Sequence, residues 1–140
     1  MTAQVRPAFG TVLTDFMSVA EYRNGRWSPA ELQPVAPIPM HPAAHVLHYA
    51  SECFEGFKAY RGADGGVAIF RMDRHIERLR QSARQLVMPV PDAKQLAEMV
   101  RAVVDKCREQ VPESPGALYL RPMLLGTTPN IGAAATPSTE

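Results

Sequence analysis

"FEGFKAYRGADGGVAIFR", residues Phe54 to Arg71, decides the fold class. Two short runs rich in aromatic and β-branched residues, "EGFKAYR" and "VAIFR", flank "GADGG", whose glycines and aspartate suit a tight turn. The stretch therefore reads as a β-hairpin. The pleat predicts Phe57 and Ala59 on one face and Lys58 and Tyr60 on the other.

Working outward toward the N-terminus, "TVLTDFMSVAEYRNGRW" (Thr11–Trp27) is again strand-like, and Asn24-Gly25 supplies the positive-φ pair of a second hairpin turn. Five prolines between Ser28 and Pro42 fix φ and remove backbone donors, which predicts an extended connection rather than a helix. Toward the C-terminus, Asp73 is placed to cap a helix with Ile76, Leu79, Ala83, Leu86 and Val87 on one stripe, stopped by Pro89 and Pro91. A second helix follows. Asp92 and Gln95 form a capping-box-like pair ahead of Leu96, Met99, Val100, Val103, Val104 and Cys107, and Pro112 breaks the pattern. "ALYLRPMLLG" reads as a strand with Leu118 and Leu120 on one face and Tyr119 and Arg121 on the other. The fold class expected is α/β of the α+β type, a mainly antiparallel sheet with helices packed on it.

At 140 residues the chain is long enough for one domain with a real core. Fifteen basic against fourteen acidic residues leave no positive field to hold nucleic acid or an anionic membrane surface, so small-molecule or protein partners are expected. The N-terminus lacks the apolar core of a signal peptide and no segment approaches membrane-spanning length, which predicts a cytoplasmic protein. Cys53 and Cys107 are too few for a disulfide framework and are read as free thiols.

Three groups have chemical potential. Tyr119 and Arg121, two residues apart on one strand face, offer a phenol and a planar donor fork suited to a carboxylate; the competing reading is a solvated strand face on which arginine lies over tyrosine. Arg78 lies on the flank of the first helix's apolar stripe, where it reaches either a site beside the sheet or water, the default. His41, His45, His48 and Cys53 supply nitrogen and sulfur donors, but their spacing matches no zinc pattern and local hydrogen bonding is preferred, with no metal assigned. No nucleophile elbow and no glycine-rich phosphate loop is present.

Taken together, "FGTVLTDFM", "HPAAHVLHYASECFEGFKAYRG", "IFRMDRHIERLRQSARQLVMP" and "LYLRPMLLGTTPNIG" resemble, in order and spacing, the branched-chain amino acid aminotransferases, fold-type IV pyridoxal-phosphate enzymes. The resemblance runs from about Phe9 to Ala133. It implies a small N-terminal domain over residues 1–126, a linker over 127–140, and a larger catalytic domain, bearing the Schiff-base lysine, outside this chain. No catalytic residue is therefore assigned here, Lys58 is given a structural role, and the chain alone is expected to be inactive.

By the same resemblance, Arg78 binds the phosphate of pyridoxal 5'-phosphate, and Phe9, Tyr49 and Phe54 wall the substrate pocket. Tyr119 and Arg121 accept the second carboxylate of glutamate or 2-oxoglutarate, while Ile131 and Ala133 belong to a loop that reaches the neighbouring site of a homodimer. The implied reaction moves the amino group of leucine, isoleucine or valine to 2-oxoglutarate, so the expected partners are branched-chain amino acids, glutamate and 2-oxo acids. The sequence departs from the family at His75, where asparagine is common, and at Phe57, where leucine or methionine is common. Two alternatives stand beside this reading: a D-amino acid aminotransferase or aminodeoxychorismate lyase of the same fold type, and a non-catalytic binding or dimerisation module.

Overall fold

A computed structural model describes residues 7–134. The last six residues of the expected linker, 135–140, lie outside the described residues. The chain opens with strand β1 (Phe16–Val19), followed by a hairpin of β2 (Tyr22–Arg23) and β3 (Arg26–Trp27), and returns along β1 as β4 (Glu31–Pro34). Asn24 and Gly25 at the hairpin tip have φ of 52° and 76°, the double left-handed geometry that this residue pair adopts at least cost. The proline-rich stretch, expected as an extended connection, thus carries a strand. Pro34 is accommodated because it sits opposite Phe16 at a position whose N–H would face away from β1, and the next amide, Val35, still donates to the Asp15 carbonyl at 2.8 Å.

A five-residue helix α1 (His45–Tyr49) leads to β5 (Glu52–Phe54), β6 (Phe57–Arg61) and β7 (Val67–Ile69). The hairpin expected from the central stretch is present, with Ala59 opposite Ile69 and Arg61 opposite Val67. Its turn is closed by the Gly62 amide donating to the Gly66 carbonyl at 2.7 Å, while Asp64 accepts from the Gly66 amide at 2.9 Å. The expected faces also hold: Phe57 and Ala59 are buried, Lys58 and Tyr60 exposed.

Two fourteen-residue helices follow, α2 (Met72–Gln85) and α3 (Ala93–Lys106). Asp73 does not cap α2; it lies inside the first turn, and Arg71, in the left-handed region at φ 48°, occupies the cap without a side-chain hydrogen bond. Leu86 and Val87 leave the apolar stripe. The helix ends at Gln85, Val87 turns the chain at φ 53°, and Met88 takes the buried position with its amide bonded to Ala83. In α3 the Asp92 carboxylate accepts from the Gln95 amide at 2.8 Å as expected, but the Gln95 side chain donates to Ser28 across the fold, not back to its own cap.

The chain then passes through a 3-10 turn (Arg108–Gln110) into β8 (Leu118–Leu120) and β9 (Met123–Leu125). The single strand expected over "ALYLRPMLLG" is divided at Arg121-Pro122, since β8 pairs with β6 and β9 with β5. Pro122 has no N–H to continue the ladder. Yet one register spans the break: Phe54 faces Met123 and Phe57 faces Leu120, leaving two residues of each strand between them.

The resulting architecture is α+β, with four small antiparallel sheets among the described residues where one larger sheet was expected. Phe57, Ala59 and Leu120 of the three-stranded sheet pack on Val100 and Val104 of α3, and Ile76 and Leu79 of α2 pack on Leu96. Each large apolar side chain buried in these contacts contributes roughly 1.5–3 kcal/mol. Together they hold α2 and the β5–β6 connection in fixed relation. No helix is long and apolar enough to cross a membrane, among the described residues.

Candidate functional site

Several candidate residues meet the chain at the break in the ribbon, Arg121 and Tyr119 on its exposed face and Arg78 at the buried Glu55. Phe54, Glu55 and Gly56 each meet a different side chain that the sequence marks as chemically capable. The centroid of the Phe54 ring lies 4.3 Å from the Arg121 guanidinium carbon, a cation–π contact. Glu55 pairs with Arg78, Oε1 to Nε, at 3.0 Å. Gly56 lies against Tyr119 so closely that a Cβ on it would sit 2.9 Å from the ring carbon Cζ.

Tyr119 and Arg121 form the polar centre. Arg121 Nη2 donates to the Tyr119 hydroxyl at 2.9 Å, which leaves the phenolic proton free to be donated outward. Phe9 meets the Tyr119 ring edge-on at 4.9 Å. The arginine does lie over tyrosine, 5.3 Å from its ring centroid, as the solvated-face reading anticipated. The rings that complete the cluster, Phe9 and Phe54, come from elsewhere in the chain. Phe9, Phe54 and Arg121 are all exposed, so the cluster presents an open aromatic wall beside paired N–H and O–H donors. That combination can take an aliphatic group against the rings and an anionic oxygen at the donors.

Arg78 projects from α2, its side chain 66% exposed while its partner Glu55 is 5% exposed. The inner carboxylate thus holds Nε, and among the described residues no partner takes the terminal nitrogens. Glu55 Oε2 is within 3.1 Å of His75 Nδ1, and the His75 ring stacks on Phe57 at 4.9 Å and 12°. A guanidinium fixed at one nitrogen and open at two others fits a phosphate group.

Tyr49, Ile131 and Ala133 gather separately. The Tyr49 hydroxyl donates to the Ile131 carbonyl at 2.7 Å, and a cleft of about 360 Å³ is lined by His45, Tyr49, Ser51, Leu86 and Ala133 among others. The Ile131 loop is therefore tied to α1 of its own chain. The histidines serve local structure: His41 accepts from the Ala43 amide at 3.0 Å, His48 bonds the Pro42 carbonyl at 2.9 Å, and His45 bonds the Ser51 hydroxyl. Among the described residues no group of His, Cys, Asp and Glu is arranged to hold a metal ion. Cys53, one position before Phe54, has its thiol pKa pushed up by burial and, secondarily, by the negative charges of Glu52 and Glu55.

Sequence reasoning missed Glu55. The signal was its parity, since Glu55, Phe57 and Ala59 alternate along one buried face. A carboxylate in step with a buried set requires a cation or donors, and the arginine-rich helix after the hairpin is the nearest source in sequence.

Comparison with known proteins gives one consistent result. Residues 52–140 match the family model for amino-transferase class IV. A branched-chain-amino-acid aminotransferase of Mycobacterium tuberculosis is 46% identical over 130 residues, covering 90% of this chain and 35% of the relative. Among solved structures, the branched-chain amino acid aminotransferase of Escherichia coli superposes with a TM-score of 0.66 at 26% identity, covering 88% of this chain and 37% of that one. The branched-chain aminotransferase of the archaeon Thermoproteus uzoniensis, solved with norvaline, gives a TM-score of 0.59 at 27% identity, covering 84% and 36%. The chain spans about a third of the length of the curated relatives it matches.

Proposed function

The chain belongs to amino-transferase class IV, and from that membership we propose that the protein transfers the amino group of leucine, isoleucine or valine to 2-oxoglutarate with pyridoxal 5'-phosphate as cofactor. The observation that carries this reading is the joint between β5–β6 and β8–β9, where Phe54, Glu55 and Gly56 gather Arg121, Arg78 and Tyr119. In the same reading, residues 1–126 are a small N-terminal domain, the protein works as a cytoplasmic homodimer, and the Ile131–Ala133 loop serves the neighbouring site.

Arg78 would hold the cofactor phosphate through its open terminal nitrogens. When bound, pyridoxal phosphate supplies an electron sink for negative charge at the substrate Cα. The remaining work belongs to this chain's side chains. Phe9 and Phe54 take the aliphatic side chain of a branched substrate and exclude water from it. Tyr119 donates its phenolic proton and Arg121 its free N–H groups to the second carboxylate of glutamate or 2-oxoglutarate. Two substrate shapes then share one pocket, because apolar wall and donor pair are adjacent.

Substrate profiling of the intact protein tests the reading. Amino transfer from leucine, isoleucine and valine to 2-oxoglutarate is expected. Turnover of D-alanine or aminodeoxychorismate with no branched-chain activity would replace it with another class IV reaction.

A further inference from the structure

We propose that Glu55 is a positioning residue that aims the Arg78 guanidinium at the cofactor phosphate; this rests on the reading of Arg78 as the phosphate-binding residue. Glu55 is buried, at 6% exposure, immediately between the two substrate-side contacts of Phe54 and Gly56. A buried carboxylate needs compensation. Here both oxygens are used, Oε1 by Arg78 and Oε2 by His75, two residues one helical turn apart on α2. The backbone amide of Glu55 is fixed in turn by the Pro122 carbonyl at 3.0 Å.

The carboxylate is thus rigid while the arginine is mostly solvent-exposed. Without the ion pair at Nε, an exposed arginine samples many rotamers, and fixing it on a ligand costs conformational entropy. The pairing removes part of that cost before the ligand arrives, and it uses the nitrogen that a phosphate fork does not need. His75, stacked on Phe57, holds the second oxygen so that the carboxylate cannot rotate away.

The test measures dissociation constants of the intact apoprotein for pyridoxal 5'-phosphate and for pyridoxal, which lacks the phosphate, in the wild type, E55Q, R78A and E55Q/R78A. Glu55→Gln is close in shape and keeps one acceptor, and thermal melts of each apoprotein accompany the titrations. Positioning predicts that E55Q weakens pyridoxal 5'-phosphate by on the order of tenfold and leaves pyridoxal unchanged. It also predicts that E55Q adds nothing once Arg78 is gone. Equal loss for both ligands, no loss for either, or a full effect of E55Q in the R78A background would overturn the proposal. If R78A itself shows no preferential loss of the phosphate-bearing ligand, the underlying site assignment fails first.

Discussion

Gly56 and Tyr119 are in contact across the ribbon with no room for a methyl group between them: a Cβ at position 56 would lie 2.9 Å from Cζ and 3.0 Å from Cε2 of the phenol. Gly56→Ala should therefore displace the Tyr119 ring, break the Arg121 hydrogen bond and destabilise the fold by about 1–3 kcal/mol, as overpacking does elsewhere. Thermal or denaturant unfolding measures it. Adding Tyr119→Ala should recover part of the loss, because the obstructing atoms are gone; a double variant less stable than the sum of its parts would refute the contact.

Arg121→Met should act on one substrate class more than the other. The guanidinium supports Tyr119, and in the proposed reading it would face the anionic group of the amino acceptor, whereas the aliphatic side chain would need only the aromatic wall. Loss of a charge-assisted hydrogen bond costs about 1.5–3 kcal/mol, so KM for 2-oxoglutarate should rise roughly ten- to hundredfold with a much smaller change for leucine. Parallel changes for both substrates would remove the assigned role.

The pair Arg80 and Arg84 on α2 clasps Glu77, with donor–acceptor distances of 2.7 and 2.9 Å. Hydrogen bonds from Arg84 and then Arg80 hold the Glu77 carboxyl below its ordinary pKa of 4.5. A depressed carboxyl stabilises the folded state above the unfolded value and loses that contribution as pH falls through the folded one. Glu77→Gln should therefore be less stable than wild type at neutral pH, and the gap should close as acid titrations pass below pH 4.5. A gap independent of pH would show that the clasp is not ionic.

Cys53 gives the opposite sign. With its thiol pushed above the usual 9.0, chiefly by burial, little nucleophilic thiolate is present at neutral pH. Alkylation of Cys53 by iodoacetamide in the native protein should be slower than in the unfolded chain at the same pH. Stability contributed by the neutral thiol is present below the unfolded pKa and is lost as pH rises through the folded one. Rapid native alkylation at neutral pH, followed by peptide mapping, would contradict the buried environment.

What could be read from the sequence depended on how local each cause is. The Asn24-Gly25 turn, the Gly62–Gly66 turn and the Asp92 cap are dictated by a few neighbouring residues, and all three appear as expected. The stop of α2 differs from expectation because Leu86 and Val87 continue the apolar spacing while Val87 adopts a left-handed backbone, a choice made by where Met88 packs. Pairing of β4 with β1 joins residues separated by a hairpin and is invisible to local propensity. At the site, Tyr119 and Arg121 are recognisable as a donor pair. Their partners Phe9, Phe54 and Gly56, and the pairing of Glu55 with Arg78, act through contacts that only the folded chain creates.

The single register carried across the interrupted ribbon constrains how this stretch can change in length. Phe54 opposite Met123 and Phe57 opposite Leu120 fix the count on both strands. One residue inserted on either side of Glu55-Gly56 or Arg121-Pro122 would exchange the two faces of everything beyond it, exposing Phe57 or Leu120 and turning Lys58 or Tyr119 inward. Changes of length should therefore be tolerated in the Gly62–Gly66 turn and the loop before β8 and not at the break, where the spacing between Phe54 and Phe57 behaves as a fixed ruler for both strands.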